Sequence, residues 1–159
     1  MAQRVPSTDL LQRIAALEAQ VATLRRTGWE RDELPLWPTN FTAMAFGDST
    51  AFSTLWEGVM SPRTASLSLG LTLVGDQVSG TNTGGAWQVL FNGLVVWSGT
   101  VLPTFTVQYA STVLDLLPYR ADSQLLVEIQ TRRTAGASTG GRGGNGGSIG
   151  LSPRFARLL

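Results

Sequence analysis

Residues 66–73 read SLSLGLTL, with leucine at 67, 69, 71 and 73 and small or polar residues between them. A period of two places all four leucines on one face of an extended chain, so the stretch buries a face only as a strand. The segment AWQVLFNGLVVWSG adds a second constraint, because Asn92-Gly93 between two apolar runs is the strongest short-range hairpin signal. That turn predicts Phe91 opposite Leu94 and Val89 opposite Val96. Trp97 then lies opposite Gln88, on the face away from Trp87, and is the more exposed of the two. Further strands are expected at Phe105–Tyr109, Leu125–Thr131 and Ser148–Leu158, with one or two more inside Ala43–Leu55. Short strands spaced by turn signals predict a mainly β chain, an antiparallel β-sandwich of jelly-roll type over residues 41–159.

The first 27 residues follow a different rule. Leu10, Ile14, Leu17, Val21 and Leu24 recur at alternating spacings of four and three, which is a heptad seam. Ser7, Thr8 and Asp9 supply helix-start chemistry, Arg25 and Arg26 suit the other end, and Gly28 can stop the helix. The expected element is a short N-terminal α-helical coiled coil. With leucines at d and Ile14 and Val21 at a, Arg13 falls at g and Glu18 at e, the pair that bridges parallel neighbours. Ile and Val at a lean towards two strands. RIAALE, residues 13–18, matches the Arg/apolar/apolar/Glu signature of short trimeric coils, and Leu11 widens the apolar face, so a parallel homotrimer is the expected state; the alternative is a helix lying on its own domain. Fewer than three heptads are marginal alone, so the C-terminal domains should also touch, or a larger assembly should hold the coil. Residues 28–40, GWERDELPLWPTN, read as a connector in which Pro35 and Pro38 favour extended backbone and Trp29 and Trp37 anchor it.

The chain contains no cysteine and no histidine, and all its basic residues are arginine. Disulfides, thiolates, the usual zinc ligands, imidazole bases and lysine nucleophiles are excluded together. The use of arginine alone suggests a GC-rich genome. A net charge of +1 argues against bulk electrostatic binding to nucleic acid or membrane, although residues 130–159 carry five arginines and no acid. No apolar run reaches the ~20 residues of a membrane span, and MAQRVPSTDLL does not read as a signal peptide.

Residues 141–146, GRGGNG, satisfy G-x-G-x-x-G, but a strand pattern follows where a dinucleotide site needs a helix. Seven glycines in residues 136–147 predict a flexible crossing between the last two strands. The alternative is a mobile loop, with Arg142 as its only charge, that grips a ligand or inserts into a neighbour. Asp32-Glu33 reads as a solvated pair, while Asp48, Glu57, Asp76 and Asp115 are scattered, and glycosidase chemistry needs two carboxylates across one bond. The sequences GDST at Gly47 and GDQ at Gly75 fall short of a calcium loop. No catalytic residue, cofactor or metal is therefore expected. Trp56, Trp87 and Trp97 offer flat faces to a sugar ring but suit a core better; Trp97 and Arg142 are the candidate ligand contacts.

LLQRIAALEAQVATLRR at the front, VLFNGLVVWSG in the middle and VEIQTRRTAGASTGGRGGNGGSIGLS near the end together resemble the small minor tail and fibre-like structural proteins of phages that infect high-GC actinobacteria. The resemblance is one of architecture, and this chain is much shorter than a long fibre. It implies a non-enzymatic, trimeric virion component whose partners are its own copies, other virion proteins and a host cell-wall glycan, with no nucleic acid or membrane partner. It would be made in the host cytoplasm and reside in the virion. A capsid decoration protein or head fibre, and a carbohydrate-binding module, are the alternative expectations.

Overall fold

A computed structural model describes residues 12–20, 33–35 and 44–159. The chain divides into two compact units, Met1–Asp32 and Glu33–Leu159. In the first, residues 12–20 form an α-helix in which every residue is exposed, Arg13, Ile14, Leu17 and Glu18 among them. Leu10, Val21 and Leu24 of the seam, and Trp29 and Trp37 of the connector, lie outside the described residues.

The second unit is an antiparallel β-sandwich. Its strands are β1 (Glu33–Pro35), β2 (Ala45–Gly47), β3 (Ser53–Met60), β4 (Ser66–Gly75), β5 (Gln77–Val78), β6 (Thr81–Asn82), β7 (Gly84–Phe91), β8 (Leu94–Val101), β9 (Gln108–Asp115), β10 (Leu125–Ala135) and β11 (Ile149–Leu158). One sheet runs β1-β11-β4-β9, with β2 also on β11, and the other runs β3-β10-β7-β8. Apart from the β7–β8 hairpin, consecutive long strands alternate between the two sheets, so the chain passes back and forth around one core. β5 and β6 form a separate small hairpin.

The alternation in β4 works as expected: Leu67, Leu69, Leu71 and Leu73 are buried against Trp87, Val89 and Phe91 of β7 and Leu125, Val127 and Ile129 of β10. Ile149 and Leu151 from β11 complete the interior. A 3-10 turn, Leu117–Tyr119, brings the Tyr119 ring edge-on to Phe91 at 5.4 Å between centroids.

Four local departures from the sequence reading have physical causes. The turn forms as predicted and Phe91 pairs with Leu94, but the register shifts between Val89 and Leu90, so Val89 faces Trp97 instead of Val96. A bulge at Val96 thus turns Trp97 towards the core face. The expected strand Phe105–Tyr109 begins only at Gln108. Gln108 explains this, since its side chain accepts from the Leu102 N–H at 2.9 Å and donates to the Leu102 carbonyl at 3.1 Å, tying off residues 102–108 as a crossover. The expected connector contributes β1, paired with β11 from Glu33↔Arg157 to Pro35↔Phe155, so the sandwich begins before residue 41. Pro35 is tolerated because this is a sheet edge. That edge is split, with β2 on residues 149–151 and β1 on 155–157; Pro153, which has no N–H to give, sits at the gap and at the bulge facing β4. The fourth departure is the glycine-rich loop, which lies at the candidate site.

Candidate functional site

The β10–β11 connection closes one end of the sandwich, and it is folded. Gly146 N–H donates to Gly140 O at 2.8 Å, Gly147 N–H to Ala137 O at 3.0 Å and Gly140 N–H to Gly144 O at 3.2 Å. Arg133 of β10 supports it from below, its guanidinium donating to the carbonyls of Ala137 and Asn145. Gly136, Gly140, Gly141, Gly144 and Gly146 take positive φ, and Gly136 and Gly147 press on Thr83, which is fully buried. The glycines therefore permit close packing here, and the flexible crossing expected from composition is replaced by a fixed one.

Two aspartates hold this loop to the sheet. Asp48 Oδ2 accepts from Asn145 Nδ2 at 3.1 Å. Asp76 Oδ2 accepts from Ser148 Oγ at 3.2 Å and its Oδ1 from the Gln77 N–H at 2.8 Å. Arg142 extends over the Phe46 ring, its guanidinium carbon 4.0 Å from the centroid, with Nε 3.9 Å from Asp76 Oδ2. The Arg142 side chain is 46% exposed, so the aromatic face orients the cation while its outer donors remain open to solvent. Asp48 and Asp76 thus act as loop fasteners. Asp115 lies at the other end of the β4–β9 ladder, opposite Ser66, where its Oδ1 accepts from the Leu117 N–H at 2.9 Å.

The second candidate contact, Trp97, is only half-buried but packs against the core, edge-on to Trp87 at 4.4 Å between centroids and 79° between planes. It is not near a partner role with Arg142 by register: Trp97 pairs with Val89 in mid-strand, whereas Arg142 caps the loop end.

Sequence reasoning missed the outer face of the β3-β10-β7-β8 sheet. There Gln88 Nε2 donates to Gln130 Oε1 at 2.8 Å, Gln130 Nε2 to Thr54 Oγ1 at 3.3 Å, and Thr54 Oγ1 to Glu128 Oε1 at 3.2 Å. Glu57 stands directly opposite Glu128. Like charges in register are unfavourable, and the Thr54 hydroxyl offsets part of that cost. The face presents amides and carboxylates in a row, chemistry suited to hydroxyl-rich ligands. Its sequence signal was faint, since β3 carries a bulge at Leu55 that breaks the alternation linking Thr54 to Glu57.

Among the described residues, no cluster of three or more acidic side chains is placed to hold a metal ion. No helix there is long and apolar enough to cross a membrane. No family model matches the chain, and no curated protein matches its sequence. Among solved structures, the chain is similar to the crystal structure of the insecticidal delta-endotoxin Cry8Ea1 from Bacillus thuringiensis, at 14% identity and a TM-score of 0.40. The alignment covers 68% of this chain and 19% of the toxin chain.

Proposed function

We propose that the protein is a non-enzymatic structural component of a phage particle, a parallel homotrimer whose helix fixes the copy number and attaches one end while the sandwich presents a surface at the other. The observation that carries this reading is the state of the seam: Ile14 is 45% exposed and Leu17 59%, although both occupy core positions of a heptad. Apolar seam residues left in water call for other helices, and Arg13 with Glu18 sets them parallel. The sandwich is a compact, loop-capped body of the kind that displays a surface, and its sugar-suited groups, Arg142 and the Gln88–Gln130–Thr54 row, fit adhesion to a repetitive wall glycan. Three copies on one side would raise weak binding by roughly 10² to 10⁴ through avidity.

Sedimentation equilibrium of the full chain is expected to give three times the chain mass, and Ile14→Asp with Leu17→Asp to lower it. Antibody labelling of purified particles from producing cells is expected to decorate one fixed location. A wild-type monomer at every concentration, or particles that lack the chain, would overturn the proposal. For wall binding, Arg142→Ala is the informative variant, because a half-exposed contact can be removed with about 0.5 kcal/mol of stability at stake. Trp97→Ala is less so, since it also removes the packing on Trp87.

A further inference from the structure

Residues 77–114 contain no Asp, Glu, Lys or Arg, in a chain that is 14% charged. The fold gathers this neutral stretch on one flank, because it supplies β7, β8, the crossover and β9 up to its last residue. Among the described residues, β8 and β9 are the outermost strands of their sheets on that side. Each is eight residues long and free of proline and charge apart from the terminal Asp115. Leu94, Val95, Leu102, Tyr109 and Val113 are each more than half exposed there. Beside β9, the outward residues of β4 are small and uncharged, Ser68 opposite Val113, Gly70 opposite Ser111 and Thr72 opposite Tyr109, and across them Arg154 of β11 lays its guanidinium over the Tyr109 ring, 4.7 Å from the centroid.

The opposite flank is built differently. Its edge is divided between β1 and β2, three residues each, with Pro35 in the first, and β3 carries Glu57 and a bulge. Short strands, proline, charge and bulges are the devices that keep a sheet edge from pairing with another chain. β8 has one such device, the bulge at Val96, and β9 has none before Asp115. A flank so poorly guarded would associate without limit unless something else set the number of copies. The heptad seam is that device, and a parallel coil of fewer than three heptads is marginal alone, so it calls for support either from contact between the domains it brings together or from a larger assembly.

We propose that the β8–β9 flank is the sandwich's share of the self-association surface, packing against the same flank of neighbouring copies around the axis set by the helix. The inference rests on the trimeric reading above, and the occupant is a second and third copy of this chain. β8 and β9 bring no charge of their own before Asp115, and the cation that reaches the strip, Arg154, is stacked on Tyr109, whereas the other flank sets Glu57 opposite Glu128, a doubled charge that a second copy would meet.

The chain has no cysteine, so single substitutions report on proximity directly. In the full-length protein, Val113→Cys and Val95→Cys are expected to yield covalently linked copies with a short bismaleimide, at least ~10-fold faster than Val59→Cys, an equally exposed position on the guarded flank. Val95→Glu with Val113→Glu is expected to raise the dissociation constant of the trimer at least ~10-fold with an unchanged far-ultraviolet spectrum. A trimer by mass in which Val59→Cys links as fast, or in which neither flank position links, would overturn the flank while leaving the coil intact. A monomer by mass would overturn both.

Discussion

The Asn92–Gly93 hairpin and the Gly136–Gly147 loop both depend on glycine, yet a methyl group added at Gly93 would meet open solvent, whereas one added at Gly147 would land on Thr83. In the hairpin, φ is 48° at Asn92 and 80° at Gly93; Gly93 is selected for backbone shape alone, while the Asn92 side chain also accepts from the Leu126 N–H at 3.0 Å and donates to Asp122 Oδ2 at 3.2 Å. In the loop, the glycines are also selected for contact with atoms distant in sequence. The first requirement is written in two adjacent letters, and the second depends on what the fold brings near.

The sharpest way to break this contrast is Gly141→Ala. That position combines a φ of 74° with a Cβ that would collide with the Gly146 carbonyl, a main-chain atom that cannot swing aside. Strain and overlap together are expected to cost about 3 kcal/mol, unless the loop opens locally and caps the loss. Melting should fall by roughly 10 °C, or, if the loop opens alone, amide protection at Gly146 and Gly147 should vanish while the strands keep theirs. A loss below about 1 kcal/mol with protection intact would mean the loop is loosely held after all.

Gly147→Ala tests contact without positive φ. Its Cβ would meet the Thr83 hydroxyl and lie 3.0 Å from Thr83 Cβ. The expected loss is about 2 kcal/mol. The Thr83 hydroxyl is buried without a hydrogen-bond partner, so Thr83→Ala removes the obstruction without orphaning another group. In a double-mutant cycle the pair should recover about 1 kcal/mol relative to the sum of the single changes. Additive losses would show that Thr83 is not what holds Gly147 to glycine.

Legibility follows the same division. Strand β4 could be read because four leucines at a period of two leave one solution, and the β7–β8 turn because Asn-Gly is local. Ser79-Gly80 between β5 and β6 repeats the positive-φ pair, and its Ser-Gly letters were a usable signal. The bulge at Val96 was invisible: it moves Trp97 by one register to meet Trp87, and neither tryptophan encodes that alone. The late start of β9 was hidden for the same reason, since Gln108 looks like any strand residue until it is seen to clasp Leu102. At the loop end, Arg142 was identifiable as the charge in a run of glycines. Its seat on Phe46 and beside Asp76 was not, because those partners come from two other segments of the chain.

The mildest change sharpens the comparison most. Gly93→Ala places a methyl in open space and is expected to cost only the left-handed backbone, about 1 kcal/mol or roughly 4 °C of melting temperature. Gly93→Asn should cost less than Gly93→Ala, because asparagine tolerates that conformation better than alanine. At Gly141 the same replacement should relieve the backbone part and leave the overlap, since an asparagine carries the Cβ that strikes Gly146. Thermal unfolding of the four single variants therefore separates the two uses of glycine by the share of the alanine loss that asparagine restores. A large share restored at position 93 and a small one at 141 is the expected pattern. If asparagine restored as large a share at 141, backbone shape would be the loop's main demand too, and the steric account of its packing would be wrong.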